Sequence, residues 1–360
     1  MIVFFPTYAR RSPGEKGWQA TVAGMVSRSL PLKSHRRRLA MAVLKRLLDL
    51  DQSQLDSDIF QRRAAAFLFQ RVSGQRVRIA IGGRLFDAGY SDRLGHFQSH
   101  FVLDDEAVDS LAHSTGSACR WISYEAILDD DDPSEEGTAR LFDVSREAAA
   151  DNAQMSLPAI ARGRIQIVEQ QGRSVISDID DTVKVTNVAN RRELLANTLL
   201  REFKAVDGMA DIYRRWQENG CAFHYVSASP WQLSPCLCTF LTASELPLGS
   251  MHLQLFRLKD STPLRRLPSR KRSKRRTIEQ IMHDFPERKF LLVGDSGERD
   301  PELYAAIARA HSKQVSGILI RQVEGKASRE KIRSRLERLV RRLPAGVMQI
   351  FTDTCELVDR

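Results

Sequence analysis

No stretch of this 360-residue chain approaches the roughly 20 consecutive apolar residues of a bilayer-spanning helix, so any membrane contact is expected to be peripheral. No secretory leader is expected from the opening residues either: Met1-Ile2-Val3-Phe4-Phe5 is apolar but has no basic flank and breaks at Pro6. Cysteine is scarce, with five residues (Cys119, Cys221, Cys236, Cys238, Cys355), an odd number without zinc-like pairing. Cys236 and Cys238 are too close for a CxxC knuckle and read as packing residues, which fits a reduced cytosolic protein. The acidic block Asp129 to Asp132 with Glu135 and Glu136 lacks the spacing and glycine of a calcium-binding EF-hand, and reads as a solvated loop. His96, His100 and His113 are scattered and read as sheet histidines, not metal ligands.

What is present describes a soluble globular protein, 42% hydrophobic and 28% charged, long enough for two domains. Its formal net charge of +10 points to an anionic partner: phospholipid, nucleic acid or a phosphorylated substrate. Residues 1–58 read as an N-terminal strand followed by a basic amphipathic helix over 35–50, whose apolar Leu39, Val43, Leu44, Leu47 and Leu48 are expected to face a core. From 59 to 170 short alternating segments, such as Arg76-Val77-Arg78-Ile79-Ala80-Ile81 and His96 to Leu103, predict a small β-sandwich-like domain. Gln170-Gln171-Gly172 marks the boundary. Residues 171–325 then alternate apolar strands with helical stretches, which predicts a parallel sheet covered by helices on both faces. Residues 326–360 hold a basic helix with an Ile332, Leu336, Leu339, Val340, Leu343 stripe, expected to dock on the sheet.

Three of those apolar strands end in chemistry. Val175-Ile176-Ser177 runs into Asp178-Ile179-Asp180-Asp181-Thr182, Phe223-His224-Tyr225-Val226 into Ser227, and Phe290-Leu291-Leu292-Val293 into Gly294-Asp295, with Asp300 close behind. Buried strands have no use for such charge, and open α/β sheets bind ligands at the carboxyl ends of their strands. On extended backbone alternate residues point one way, so Asp178, Asp180 and Thr182 are expected to face one point. Lys274, just before the helix leading into the Phe290 strand, would bring a cation to the same edge, with Lys271 as its competitor. Phosphoryl transfer explains this mixture. A phosphate dianion needs Mg²⁺ to approach carboxylates, one aspartate can attack phosphorus, a second can move the proton, and a hydroxyl and lysine can neutralise the equatorial oxygens.

These motifs resemble the haloacid dehalogenase superfamily of aspartyl-phosphate phosphatases. More narrowly, Ile176 to Thr186 (ISDIDDTVKVT), Phe223 to Leu233 (FHYVSASPWQL) and Phe290 to Glu302 (FLLVGDSGERDPE) resemble the actin-patch-protein phosphatidate phosphatase family. Phe203, Gly208-Met209, Pro247 to Ser250 and the opening Phe5-Pro6-Thr7-Tyr8-Ala9 also fit it. The resemblance is dense from about 170 to 322 and thin before that. It implies a capless Rossmann-like domain in which Asp178 is the nucleophile and Asp180 the general acid/base. Thr182, Ser227 and Lys274 would serve the phosphoryl group, with Ser229 the competitor of Ser227, and Asp178, Asp180 (through its carbonyl), Asp295 and Asp300 would hold Mg²⁺.

The implied substrate is phosphatidate, cleaved to diacylglycerol by a cytoplasmic protein peripherally attached to an anionic phospholipid surface. A nucleic-acid end or a phosphoprotein is the alternative substrate, and a non-catalytic adaptor for anionic membranes is the alternative of another class. One departure from the family pattern is the basic run at 259–273. Arg265, Arg266, Arg270, Lys271, Arg272, Arg275 and Arg276 around Lys274 form a patch expected to meet anionic lipid, with nucleic acid as the other anionic partner. Trp231, beside Pro230, is left open between lipid contact and helix packing.

Overall fold

A computed structural model describes residues 1–12, 17–30, 34–48, 50–114, 119–128, 161–254, 270–323 and 329–357. The acidic block and Arg265 and Arg266 lie outside these residues.

Two sheets organise the chain. The first is mostly antiparallel and ten-stranded, and it includes the strands at the very start of the chain, Ile2–Phe5 and Thr7–Arg11, alongside those from the 76–167 region. Its long strand Trp18–Ser29 pairs with Ile2–Phe5 and Thr7–Arg11 along one edge and with His96–Leu103 along the other. Arg162–Ile167 lies antiparallel to Arg120–Leu128 but parallel to Thr7–Arg11, which closes the sheet order around one core that includes Trp18, Val22, Ile79, Tyr124 and Ile165. Alternation in Arg76–Ile81 buries Val77, Ile79 and Ile81, as the period-two pattern requires.

The second sheet is wholly parallel, with six strands in the order Ser250–Gln254, Ala222–Pro230, Arg173–Ser177, Lys289–Asp295, Val315–Arg321, Met348–Phe351. The chain is therefore α/β, with one parallel and one mixed sheet. The two edge strands, Ser250–Gln254 and Met348–Phe351, go beyond the four expected from the apolar runs; both are short and only partly buried, so their sequences lack a continuous apolar run. Helices cover both faces. Met209–Glu218 and Ser234–Ala243 pack with Val175 on one side, and Arg270–Asp284, Asp300–Ala310 and Arg329–Val340 pack with Ile176 on the other. The basic C-terminal helix is docked as expected: Ile332 and Leu336 are buried, and Arg335 pairs with Glu302 at 2.6 Å.

A fourth, smaller cluster joins the helices His35–Leu48 and Asp58–Ala65 to Arg191–Leu199. Arg63 is buried there, donating to the carbonyls of Asn197, Thr198 and Arg201 at the end of the last helix and stacking on Phe203 at 3.7 Å. Carbonyls at a helix C-terminus lack partners of their own and favour a cation. Leu39 departs from the expected core face: it is exposed.

Contacts at Pro6 and Arg288 help to join the two sheets. Pro6 has no N–H and interrupts the first edge, and its carbonyl accepts the N–H of Met251 from the edge of the parallel sheet (2.8 Å). Arg288 clamps the junction, donating to the carbonyls of Glu169, Gln171 and Arg173 and, at 2.8 Å, to Ser174 Oγ. No helix among the described residues is long and apolar enough to cross a membrane.

Candidate active site

The central strand Arg173–Ser177 ends one residue before Asp178, whose N–H still donates to Val293 of the neighbouring strand (2.9 Å). This fixes Asp178 at the carboxyl edge. Lys289–Asp295 delivers Asp295 to the same edge, and the first turn of Asp300–Ala310 delivers Asp300. One oxygen from each of Asp178, Asp295 and Asp300 falls within 4.8 Å of the others, and all three residues are buried. Lys274 reaches them from the opposing helix, its Nζ 3.0 Å from Asp178 Oδ1 and 2.8 Å from both carboxylate oxygens of Asp300. The structure thus brings together Asp178, Asp295, Asp300 and Lys274; Lys271 lies on the same helix one turn earlier.

Removing so many charges from water disfavours their ionised forms. Burial pushes the Asp178 carboxyl well above the ordinary carboxylate range; Lys274 opposes that shift, and Asp300, Asp295 and Asp180 add to it. Burial also acts to strip Lys274 of its proton, but Asp178 and Asp300 outweigh it and hold the ammonium well above its usual value. Asp295 is pushed up to about 8, by burial first and then by Asp300 and Glu298. Its Oδ1 accepts the N–H groups of Gly297 and Glu298, whereas its buried Oδ2 has no hydrogen-bond partner. An orphaned carboxylate oxygen beside two further carboxylates is an all-oxygen donor set that fits a hard divalent cation.

Asp180 forms the second half of the site. Its Oδ1 meets Lys184 Nζ at 2.8 Å and accepts from Thr186 Oγ1 at 2.7 Å. Its Oδ2 accepts from Ser229 Oγ at 2.5 Å and Ser227 Oγ at 3.3 Å. Burial would raise this carboxyl, but Lys184, Ser229 and Thr186 together hold it below its ordinary value. Both candidate serines therefore stand beside Asp180, and the N–H of Ser229 donates to Ser227 Oγ. Ser227 does not lie beyond its strand as the apolar run implied: Ala222–Pro230 continues past it, with the pairing register broken between Val226 and Pro230. Two positions apart on one strand, Ser227 and Ser229 share a face, and both hydroxyls meet the same carboxylate.

Thr182 is misplaced by the sequence pattern. Its side chain is fully buried and its hydroxyl makes no hydrogen bond; Thr186 is the threonine that meets Asp180. The alternation of extended backbone ends at Asp181, which adopts φ +55° and turns the chain, so that the Ile179 carbonyl accepts from Thr182, Val183 and Lys184. The Asp181 carboxylate then gathers the N–H groups of Thr186, Asn187 and Val188. This local folding returns Lys184 and Thr186 to Asp180. Their signal in the sequence is the apolar-polar alternation of Val183-Lys184-Val185-Thr186, legible as alternation but not as contact.

The basic run is helix from Arg270 onward, with Arg272, Arg275 and Arg276 exposed and Arg275 paired to Glu279 at 2.8 Å. Trp231 is buried against Phe5, Phe69 and His96, with ring centroids 5.2 to 5.8 Å away, so it packs and does not reach lipid.

Residues 173–322 match the family model of the phosphatidate phosphatase APP1 catalytic domain. An uncharacterized protein of Schizosaccharomyces pombe is 36% identical over 163 residues, which cover 44% of this chain and 26% of that protein. Phosphatidate phosphatase APP1 of Saccharomyces cerevisiae is 33% identical over 184 residues, covering 50% of this chain and 30% of its own length. The chain thus spans between a quarter and a third of the curated relatives it matches. A solved carbohydrate esterase chain aligns with a TM-score of 0.21 and 9% identity over 96% of this chain and 98% of its own, a likeness too weak to bear on fold. Over residues 173–322 the chain is thus similar to the phosphatidate phosphatase APP1 catalytic domain.

Proposed function

We propose that the chain is a Mg²⁺-dependent phosphatase of haloacid dehalogenase-like fold that hydrolyses phosphatidate to diacylglycerol at a membrane surface. The observation that carries this reading is the meeting of Asp178, Asp295, Asp300 and Lys274 at the carboxyl edge of three adjacent parallel strands, with Asp180 and Ser227 beside them. The name of the yeast relative supports the substrate.

In the proposed reaction Asp178 attacks phosphorus and the ester P–O bond breaks, leaving an aspartyl-phosphate. A phosphate dianion beside Asp180 favours its protonated form over the carboxylate that Lys184, Ser229 and Thr186 otherwise stabilise; Asp180 gives that proton to the departing oxygen, then takes one from the water that releases inorganic phosphate. Ser227 donates to the phosphoryl oxygens and Lys274 neutralises them as charge spreads in the transition state. Asp178, Asp295, the Asp180 carbonyl and Asp300 would hold Mg²⁺. When bound, the cation offsets the repulsion between the phosphate dianion and the carboxylates. The basic run from Arg265 to Arg276 would draw the enzyme to anionic bilayers.

Phosphate release from phosphatidate in mixed micelles tests the reading. The wild type should cleave phosphatidate far better than glycerol 3-phosphate, and Asp178→Asn should retain under about 1% of kcat, a loss above about 2.7 kcal/mol, with the fold intact. Equal kcat/KM on both substrates would remove the lipid assignment; a substantially active Asp178→Asn would remove the nucleophile. For the basic run, replacing Arg265, Arg266, Arg270 and Arg272 by Gln should weaken cosedimentation with phosphatidate vesicles about tenfold or more at low salt. Unchanged vesicle binding would exclude the membrane role, and a larger change in a nucleic-acid gel shift would redirect it.

A further inference from the structure

Lys184 is an anomaly of the candidate site. It is 1% exposed, and a buried ammonium is tolerated only where its partners compensate for lost water. Those partners are few: Asp180 Oδ1 at 2.8 Å, Thr186 Oγ1 at 2.5 Å and the ring of Phe203, whose centroid is 4.8 Å from Nζ. Its backbone is fixed as well. The N–H donates to Ile179, the carbonyl accepts from Asp181, and the flanking Val183 and Val185 exchange hydrogen bonds with residues 204 and 206. Thr186 is equally constrained, its N–H held by Asp181 and its carbonyl by Asn197. Two rigid groups therefore occupy one oxygen of Asp180, while the other faces Ser227 and Ser229 at the end of the neighbouring strand.

We propose that Lys184, with Thr186, is a positioning residue for proton transfer: by occupying Oδ1 it leaves Oδ2 as the oxygen that meets the leaving group. This rests on the reading of Asp180 as the general acid/base. The proton passes from Oδ2 to the ester oxygen as the P–O bond breaks, and Oδ2 recovers a proton from the attacking water. Rotation of the carboxylate, which would turn the donating oxygen away, is opposed by both groups on Oδ1. Ser229, bound to Oδ2 here, marks the direction in which that oxygen is presented.

The test compares leaving groups. A diacylglycerol alkoxide needs a proton to depart, whereas p-nitrophenolate departs without one, and kcat/KM reports the steps up to its departure. With phosphatidate and p-nitrophenyl phosphate measured side by side, Lys184→Met and Thr186→Val should each lose kcat/KM on the alkyl ester at least tenfold more than on the aryl ester. Asp180→Asn should show the same split more strongly. Equal losses on the two substrates in the Lys184 and Thr186 variants, or no loss, would overturn the proposal while leaving Asp180 in its role. An absent split in Asp180→Asn would overturn that role itself. Should Lys184→Met fail to melt cooperatively, Thr186→Val decides, since it keeps the size of the side chain and leaves the lysine in place.

Discussion

Burial, Asp300 and Glu298 push the Asp295 carboxyl up to about 8, which has a consequence for stability. The unfolded chain titrates this group near its ordinary value of 3.8. Between those two values the folded, metal-free protein binds the extra proton, so stability is greatest at the acid end of the window and falls as pH rises through it. A divalent cation reverses the demand by favouring the carboxylate. Thermal melts with chelator and with Mg²⁺ should therefore separate more at pH 8 than at pH 5, and Asp295→Asn should shrink that difference. An Mg²⁺ shift independent of pH, or one retained by Asp295→Asn, would exclude Asp295 as a ligand.

At the scale of elements, the site depends on how closely a strand end approaches a helix. Gly294 sits at that approach. A Cβ added there would lie 2.6 Å from Asp300 Oδ2, 2.8 Å from Tyr304 Cε2 and 3.0 Å from Asp300 Cβ. These atoms are buried and cannot swing aside, so Gly294→Ala should push Asp300 away from Lys274 and Asp295. Overpacking of this kind typically costs about 1–3 kcal/mol. The urea midpoint should fall accordingly, and titration calorimetry should show Mg²⁺ affinity at least tenfold weaker. Unaltered affinity would mean that the strand–helix spacing does not set the geometry of the carboxylates.

Across the whole molecule, the ten-stranded sheet buttresses the serine-bearing strand end. Trp231 follows Ser229 and Pro230 directly and inserts between Phe5, Phe69 and His96 of that sheet. Tyr8 adds a hydrogen bond to Asp284 at 2.6 Å and lies edge-on to the buried His224. Trp231→Ala should cost about 3–5 kcal/mol, the usual range for a buried tryptophan, read as a lower urea midpoint. It should also lower kcat/KM for phosphatidate, because the hydroxyls of Ser227 and Ser229 lose their support. Full activity at full occupancy of the folded state would show that the first sheet leaves the site untouched.

The sequence alone determined the elements that depend on local physics. Apolar runs of Val, Ile, Leu and Phe required buried parallel strands, and polar residues at their carboxyl ends placed Asp178 and Asp295 on one edge, since neighbouring parallel strands share a direction. Helical periodicity placed Lys274 and Asp300 only just ahead of helices bordering that edge; the structure starts those helices earlier, at Arg270 and Asp300, so that both residues lie within them. Tertiary structure alone decided which oxygen meets which donor. The +55° φ of Asp181 replaced Thr182 by Thr186 at Asp180 and folded Lys184 back onto the same carboxylate. It also decided that Trp231 packs inward, because its neighbours Phe5, Phe69 and His96 come from positions 135 or more residues away in the chain. Periodicity reports which face of an element is apolar; a turn and a long-range contact are set by backbone torsions and by packing between distant segments, which no local pattern encodes.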